Sequence, residues 1–288
     1  MTTTADIRFV HLGIGIEHLR NSISVFGFRI AFYGIIIGIG MLAGIWIAQS
    51  DARRRGQDPD LYLDFALYAI IFSIIGARIY YVIFAWDQYK DTLIQVFNLR
   101  AGGLAIYGGV IAAVLTLFVF TRVRKLSFFS MADSGCLGLV TGQIIGRWGN
   151  FFNCEAFGGY TDSLFAMRIK RSLVNESMIS QELLDHLIVE DGVEFIQVHP
   201  TFLYESVWNL GLLLFMLWYR KRKKFDGEML LIYLLGYGLG RTWIEGLRTD
   251  QLIFFGTGVP VSQALSLILV VVSASALVYR HRKLKKTT

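Results

Sequence analysis

Charge is scarce in this chain. Only 17% of its 288 residues are Asp, Glu, Lys or Arg, against about 25% in soluble domains. Cysteine is nearly absent. Cys136 and Cys154 are the only two, which excludes a disulfide framework. HExxH and CxxC spacings are missing, so no metal site is expected. No basic n-region precedes the first apolar stretch. No cleavable signal peptide is read, and the first hydrophobic span is expected to direct insertion itself. There is no repeat of 20–50 residues and no low-complexity linker.

What the chain has instead is carbon. It is 54% hydrophobic with a mean hydropathy of +0.51, which places it in a bilayer. Seven apolar segments approach the length needed to cross about 30 Å of hydrocarbon: near 28–49, 61–84, 104–121, 128–150, 201–219, 228–247 and 260–279. The expected fold is an all-α polytopic membrane protein with seven transmembrane helices. The net charge of +6 does not point to nucleic acid, because the basic residues sit in short runs between apolar spans. Arg53–Arg55, Arg122 to Lys125, Arg220–Lys224 and Arg280 to Lys286 hold more than half of the 28 Lys and Arg. If seven helices alternate, all four runs fall on one side. The positive-inside rule then puts the C-terminus in the cytoplasm and the N-terminus outside, with Arg100 among the sparser basic residues there.

Two stretches do not span. Residues 1–27 are weakly amphipathic and are expected to lie along the outer surface as an N-terminal arm. Residues 156–199 form the one sizeable insert, an extracytoplasmic α+β head between helices 1–4 (28–155) and helices 5–7 (200–279). In it FAMRIKRSLV and VEFIQVH read as strands and SMISQELLDHLIVE as a helix. Residues 280–288 are a basic cytoplasmic tail. Glycine pairs 34/38 and 40/44 have the spacing that lets helices approach closely.

A charge in hydrocarbon costs at least about 2.5–3.5 kcal/mol on insertion scales, so each embedded charge needs a partner or a task. Arg147 and Glu155 close the fourth span. His199, Tyr204 and Glu205 open the fifth. Tyr237, Arg241, Glu245 and Arg248 follow at spacings of four, four and three, which puts them on one helical stripe. On the counted topology the three clusters lie at one depth, in the outer half of the bilayer. Register-fixing salt bridges would explain any one pair. Three arginines at that depth also make a site for an anion, and guanidinium is the natural fork for phosphate.

GRWGNFFNCEAFGG (146–159) resembles the signature of the bacterial prolipoprotein diacylglyceryl transferases, roughly G-R-x-G-N-F-x-N-x-E-x-x-G. Gly146, Arg147, Gly149, Asn150, Phe151, Asn153, Glu155 and Gly158 match its fixed positions. HPTFLYE (199–205), the Y-x-x-x-R-x-x-x-E-x-x-R stripe, GGLAIYGG (102–109) and the early YG with Tyr33 also look like features of that family. The resemblance implies transfer of the diacylglyceryl group of phosphatidylglycerol to the lipobox cysteine of a prolipoprotein signal peptide, giving a thioether and glycerol phosphate. It implies a seven-helix bundle in the bacterial cytoplasmic membrane, with an outward arm and head, an active site facing outside and no cofactor.

On that reading Arg147 and Arg241 clamp the phosphate and Arg248 positions a head group. Asn150 bonds the glycerol or fixes an arginine. Glu155 and Glu245 hold the arginines in their rotamers. Tyr33, Gly158, Tyr237, Glu205 and His199 line the substrate site. Tyr107 stands where many relatives carry histidine. Either it only hydrogen-bonds substrate, or the thiol ionises through a carboxylate such as Glu205 or through water. His199 before Pro200 equally reads as a structural helix start, and Cys154 as packing. An anion or lipid transporter is the rival reading, but it predicts charge at both faces and internal repeats. An intramembrane peptidase needs a serine–base pair, paired aspartates or zinc ligands, which the sequence does not offer.

Overall fold

The computed structural model describes residues 5–99, 102–251, 253 and 258–287. Arg100, residues 1–4 of the expected arm and Thr288 of the tail lie outside them. Among the described residues the long helices are α1 (Phe32–Arg54), α2 (Asp60–Phe84), α3 (Ile106–Val123), α4 (Phe128–Phe152), α6 (Thr201–Tyr219), α7 (Glu228–Glu245) and α8 (Val261–Thr287). Six of these, all but α7, are long and apolar enough to cross a membrane. The 18 residues of α7 include Glu228, Arg241 and Glu245. The expected first span starts late, at Phe32, because Phe28–Ala31 is a strand.

The chain divides into two compact units. The first comprises Met1–Gly44, Leu137–Lys224 and Glu228–Thr288. Its sheet has the order β2-β1-β5-β7-β6, built from β1 (Ile7–Phe9), β2 (Ile14–Ile16), β5 (Met167–Lys170), β6 (Ile188–Glu190) and β7 (Val193–Val198). Strand alternation sends Ile7, Phe9, Met167, Ile169, Ile196 and Val198 to one face, where they pack with Phe151, Phe157 and Phe202. Arg8 and Arg168 pair across the other face and share Glu190, each at 2.6 Å.

Two expectations change here. The N-terminal arm is not separate from the insert, because β1 hydrogen-bonds β5 in the middle of the sheet. The helix read over SMISQELLDHLIVE shrinks to α5 (Gln181–Asp185), capped by Ser180, while Ile188–Glu190 becomes an edge strand. Pairing with β7 outweighs helical propensity there. A second hairpin, β3 (Ser22–Val25) with β4 (Phe28–Ala31), stands apart from the sheet and runs straight into α1. Of the two glycine pairs, Gly44 meets α4 closely, since a Cβ there would lie 2.6 Å from the Gly138 carbonyl oxygen. Gly34 and Gly38 have nothing within 4 Å of an added Cβ.

The second unit comprises Ile45–Cys136 and Phe225–Gly227. Among its described residues the embedded charges Arg78, Asp133 and Asp51 find polar partners. Arg78, on α2, donates to the carbonyls of Gln95, Val96, Asn98, Gly102 and Gly103 at 2.7–3.2 Å. Its guanidinium also lies over the Tyr89 ring. Asp133 accepts from the Gly227 amide at 2.9 Å. Buried Asp51 accepts from Ser134 and from Arg54.

Candidate active site in the first unit

α4 places Arg147 and Asn150 one turn apart on one face. The signature continues past the helix end at Phe152 into a tight loop. Cys154 and Ala156 both adopt positive φ there (50° and 56°), a conformation that costs non-glycine residues about 1–2 kcal/mol each. The loop is tied down where Thr201, at the start of α6, donates its hydroxyl to the Ala156 carbonyl. Gly158 exchanges backbone contacts with His199 and Arg248. A Cβ at Gly158 would sit 2.6 Å from the Leu247 carbonyl oxygen and 2.8 Å from the His199 Cβ, so only glycine fits this three-chain junction.

α6 contributes Glu205, 3% exposed. Its two oxygens take two guanidinium groups from different helices: Oε1 lies 2.6 Å from Arg147 Nη2, and Oε2 lies 3.1 Å from Arg241 Nη1. Arg241 also lies 2.5 Å from Glu245, one turn further along α7. On the α4 side Arg147 donates to Asn150 Oδ1 at 3.3 Å. Asn150 and Asn153 in turn donate to Glu155 Oε1 at 2.9 and 3.3 Å. A continuous polar chain therefore runs from α7 through α6 to α4 and the signature loop.

Three placements differ from the sequence expectation. Glu155 bonds the asparagines, not an arginine, because the αL turn at Cys154 folds it back over Asn150. Glu205 takes the arginine-holding part instead, beside Glu245. Arg248 is not on the α7 stripe. The helix ends at Glu245 ahead of Gly246, and Arg248 turns to grip both oxygens of Asp250 at 2.9 and 2.7 Å. Asp250 carried no motif signal.

The other candidates are placed as follows. The Tyr33 ring lies against Gly149, where a Cβ would come within 2.8 Å of it. Tyr237 stacks on Tyr233 at 5.7 Å. His199 Nδ1 lies 3.3 Å from the Tyr204 hydroxyl, and burial holds the imidazole pKa below its ordinary value against the opposing charge of Glu182. Burial, with Asp6 and Glu155 nearby, pushes the Cys154 thiol up to about 12. Tyr107 belongs to the second unit, half-buried on the first turn of α3. An apolar groove of about 660 Å³ runs between α6 and α7, lined by Leu203, Tyr204, Trp208, Leu212 and Trp243 among others. Among the described residues, no group of three or more His, Cys, Asp or Glu could hold a metal ion.

Chemically, the arrangement offers two guanidinium groups from different helices, held at the two oxygens of one carboxylate. The model of the prolipoprotein diacylglyceryl transferase family matches residues 20–279. The chain is 41% identical to the phosphatidylglycerol–prolipoprotein diacylglyceryl transferase of Clostridioides difficile, over 92% of this chain and 97% of that one. It is 39% identical to the enzyme of the same name from Listeria welshimeri (95% and 94% covered) and 41% identical to that of Geobacillus kaustophilus (88% and 89%).

Proposed function

Because the chain belongs to the prolipoprotein diacylglyceryl transferase family, we propose that Arg147 and Arg241 are the phosphate clamp of its transfer reaction. The enzyme is a transferase that moves the diacylglyceryl group of phosphatidylglycerol to prolipoprotein. The observation that carries the clamp is the convergence of both guanidinium groups on one carboxylate, Glu205. Two side chains that can share one bidentate anion are placed to share another, and each guanidinium has five N–H donors to divide between them.

In the proposed step the thiolate of a lipobox cysteine attacks C3 of the glycerol that carries the acyl chains. The C–S bond forms as the C–O bond to phosphate breaks, and glycerol phosphate leaves with the bonding pair. The thiol proton passes to a base, and the departing phosphate gains negative charge. Donors aimed at charge that develops in the transition state stabilise it most. Arg147 and Arg241 would do this, and their field would also favour the thiolate over a thiol of pKa about 8.5. Glu205 and Glu245 keep the two guanidinium groups from swinging apart. Asn150, anchored by Glu155, steadies Arg147. Arg248, fixed by Asp250, would meet the head group nearer the mouth. The groove between α6 and α7 suits an acyl chain.

The same reading makes α7 the seventh span. Its charges are paired with α6 and need not face lipid, which is how embedded charge is tolerated. Four basic runs on one side then put the N-terminus, the sheet region and the site outside a bacterial cytoplasmic membrane and the C-terminus inside. The test is a proteoliposome assay with labelled phosphatidylglycerol and a lipobox peptide. Arg147→Lys and Arg241→Lys should each lower transfer by about 10²-fold or more, since lysine is a point charge without the planar fork. Near-normal rates in both would remove the clamp.

A further inference from the structure

The β3–β4 hairpin has a feature that the transfer reaction does not use. Its register pairs Ser22 with Ala31, Ile23 with Ile30, Ser24 with Arg29 and Val25 with Phe28. Alternation sorts these into two faces. One carries Ser22, Ser24, Arg29 and Ala31. The other carries Ile23, Val25, Phe28 and Ile30. The turn is Phe26-Gly27, both at positive φ (50° and 83°), the tight geometry that suits a two-residue hairpin. It holds Phe26 at the tip with 97% of its surface exposed. Phe28 is 76% exposed, and Ile23, Val25 and Ile30 are exposed as well.

An isolated two-stranded hairpin is marginal in water, and a contiguous apolar face on it needs a cover. Two facts identify the cover. Ala31 is followed without a linker by Phe32, the first residue of a membrane-spanning helix, and the Phe32 amide donates to the Asn21 carbonyl at 2.9 Å. The base of the hairpin is therefore fixed at the end of a span, where the bilayer interface must be. On the opposite face Arg29 is folded along the strand by bonds to Ser22 and Asn21 (2.8 and 3.1 Å), which presents a cation at head-group height.

We propose that the Ser22–Ala31 hairpin is a membrane-embedded wedge. Its Ile23/Val25/Phe28/Ile30 face and the Phe26 tip lie in the acyl region of the leaflet at the N-terminal end of α1, with Arg29 among the lipid phosphates. The wedge pins the polypeptide that joins the five-stranded sheet to α1 at a set height above the hydrocarbon. It stands independently of the clamp.

Nitroxide labels at Phe26→Cys, Phe28→Cys and Ser24→Cys, in the full chain in phosphatidylglycerol-containing proteoliposomes, test this. The native Cys136 and Cys154 are buried, and unmodified protein carried through labelling reports any background. Accessibility to oxygen should exceed accessibility to a water-soluble nickel complex at 26 and 28, with the order reversed at 24. Equal nickel access at all three sites overturns the wedge. So does shielding at 26 that arises only on adding a lipobox peptide, which would make the occupant a peptide, or spin–spin broadening, which would make it a second copy. Each labelled variant is first assayed for transfer. If one is inactive, Phe26→Trp supplies the same reading. Its emission, over the parent's six tryptophans, should be quenched by lipids brominated on their acyl chains, and absence of quenching counts against the wedge.

Discussion

Glu205 lies 2.6 Å from Arg147, with only 4% of its side chain exposed. Removing one partner of a buried ion pair costs about 3–5 kcal/mol, because the other charge is left unpaired. Here two arginines would be left. Glu205→Ala should therefore lower both thermal stability and transfer steeply. Glu205→Gln keeps the shape and one acceptor oxygen. It should retain the fold and lose about tenfold or more in transfer, as the guanidinium groups drift from their shared position. A thermal-unfolding series in detergent beside the proteoliposome assay separates the two effects. Wild-type activity in Glu205→Gln would show that the carboxylate charge is dispensable.

Cys154 is the second case, and it predicts no effect. Its thiol is buried, its pKa is pushed up to about 12, and its role is to fit a turn at φ 50°. Cys154→Ala should leave transfer within about twofold of the parent. Cys154→Gly should hold or raise stability, because glycine adopts that backbone without strain. Loss of transfer in Cys154→Ala would give the thiol a part in the reaction.

How much of this was legible in the residues differs by element. The spans were readable because bilayer thickness dictates the length of an apolar run, and α2, α4 and α6 fall within about two residues of their expected ends. The hairpin before α1 was not, since Ile23 to Ile30 alternates and never builds a long run. Ile188–Glu190 was lost to a helix because strand pairing with Val193–Val198 is not local information. Arg147 and Arg241 could be singled out as charges in hydrocarbon. That Glu205, rather than Glu155, would hold Arg147 depends on where α6 meets α4, and spacing along one helix cannot report it. Asp250 sits in a polar turn where carboxylates are ordinary, so only its contact with Arg248 marks it.

Arg78 supplies a stability prediction within the second unit. Its five bonds to backbone carbonyls tie down Gln95, Val96 and Asn98 together with Gly102 and Gly103 ahead of α3. Hydrogen bonds to a charged group contribute about 1.5–3 kcal/mol each, and not additively. Arg78→Met should lower the unfolding temperature markedly. Arg78→Lys should fall between, since an ammonium has three donors and no fork. Proteolysis of the 85–105 segment should accelerate in the same order. Unchanged melting in Arg78→Met would mean that these carbonyls find water at no cost.

Stability should also depend on pH through two groups outside the spans. Burial depresses the His199 pKa below its ordinary 6.5, despite Glu182. Its contribution is therefore present above about pH 6.5 and is lost as pH falls through the lower, folded value. Burial alone would raise the Asp250 pKa. The Arg248 bond and charge outweigh it, and the net lies below the ordinary 3.8. That contribution persists to about pH 4 and disappears only beneath it. Melting curves from pH 8 to 5 should decline, with the decline reduced in His199→Gln and unaltered in Asp250→Asn. Equal slopes in His199→Gln and the parent would exclude the histidine.

How the thiol loses its proton can be tested at Tyr107. It stands on the first turn of α3, where the helix N-terminus favours negative charge by about 0.3–1 kcal/mol. A hydroxyl that only bonds substrate and one that takes a proton make different predictions. If it only bonds substrate, Tyr107→Phe should lose about tenfold in kcat/KM with an unchanged pH profile, and Tyr107→His should resemble Phe. If it takes the proton, Tyr107→Phe should lose more, about 10²-fold. Tyr107→His, with a group titrating near 6.5, should then restore transfer and move the rising limb of the profile to lower pH. The pH profiles of the two variants separate the cases. Wild-type rates in Tyr107→Phe would leave proton removal to water or to Glu205, and the Glu205→Gln profile would then carry the shift.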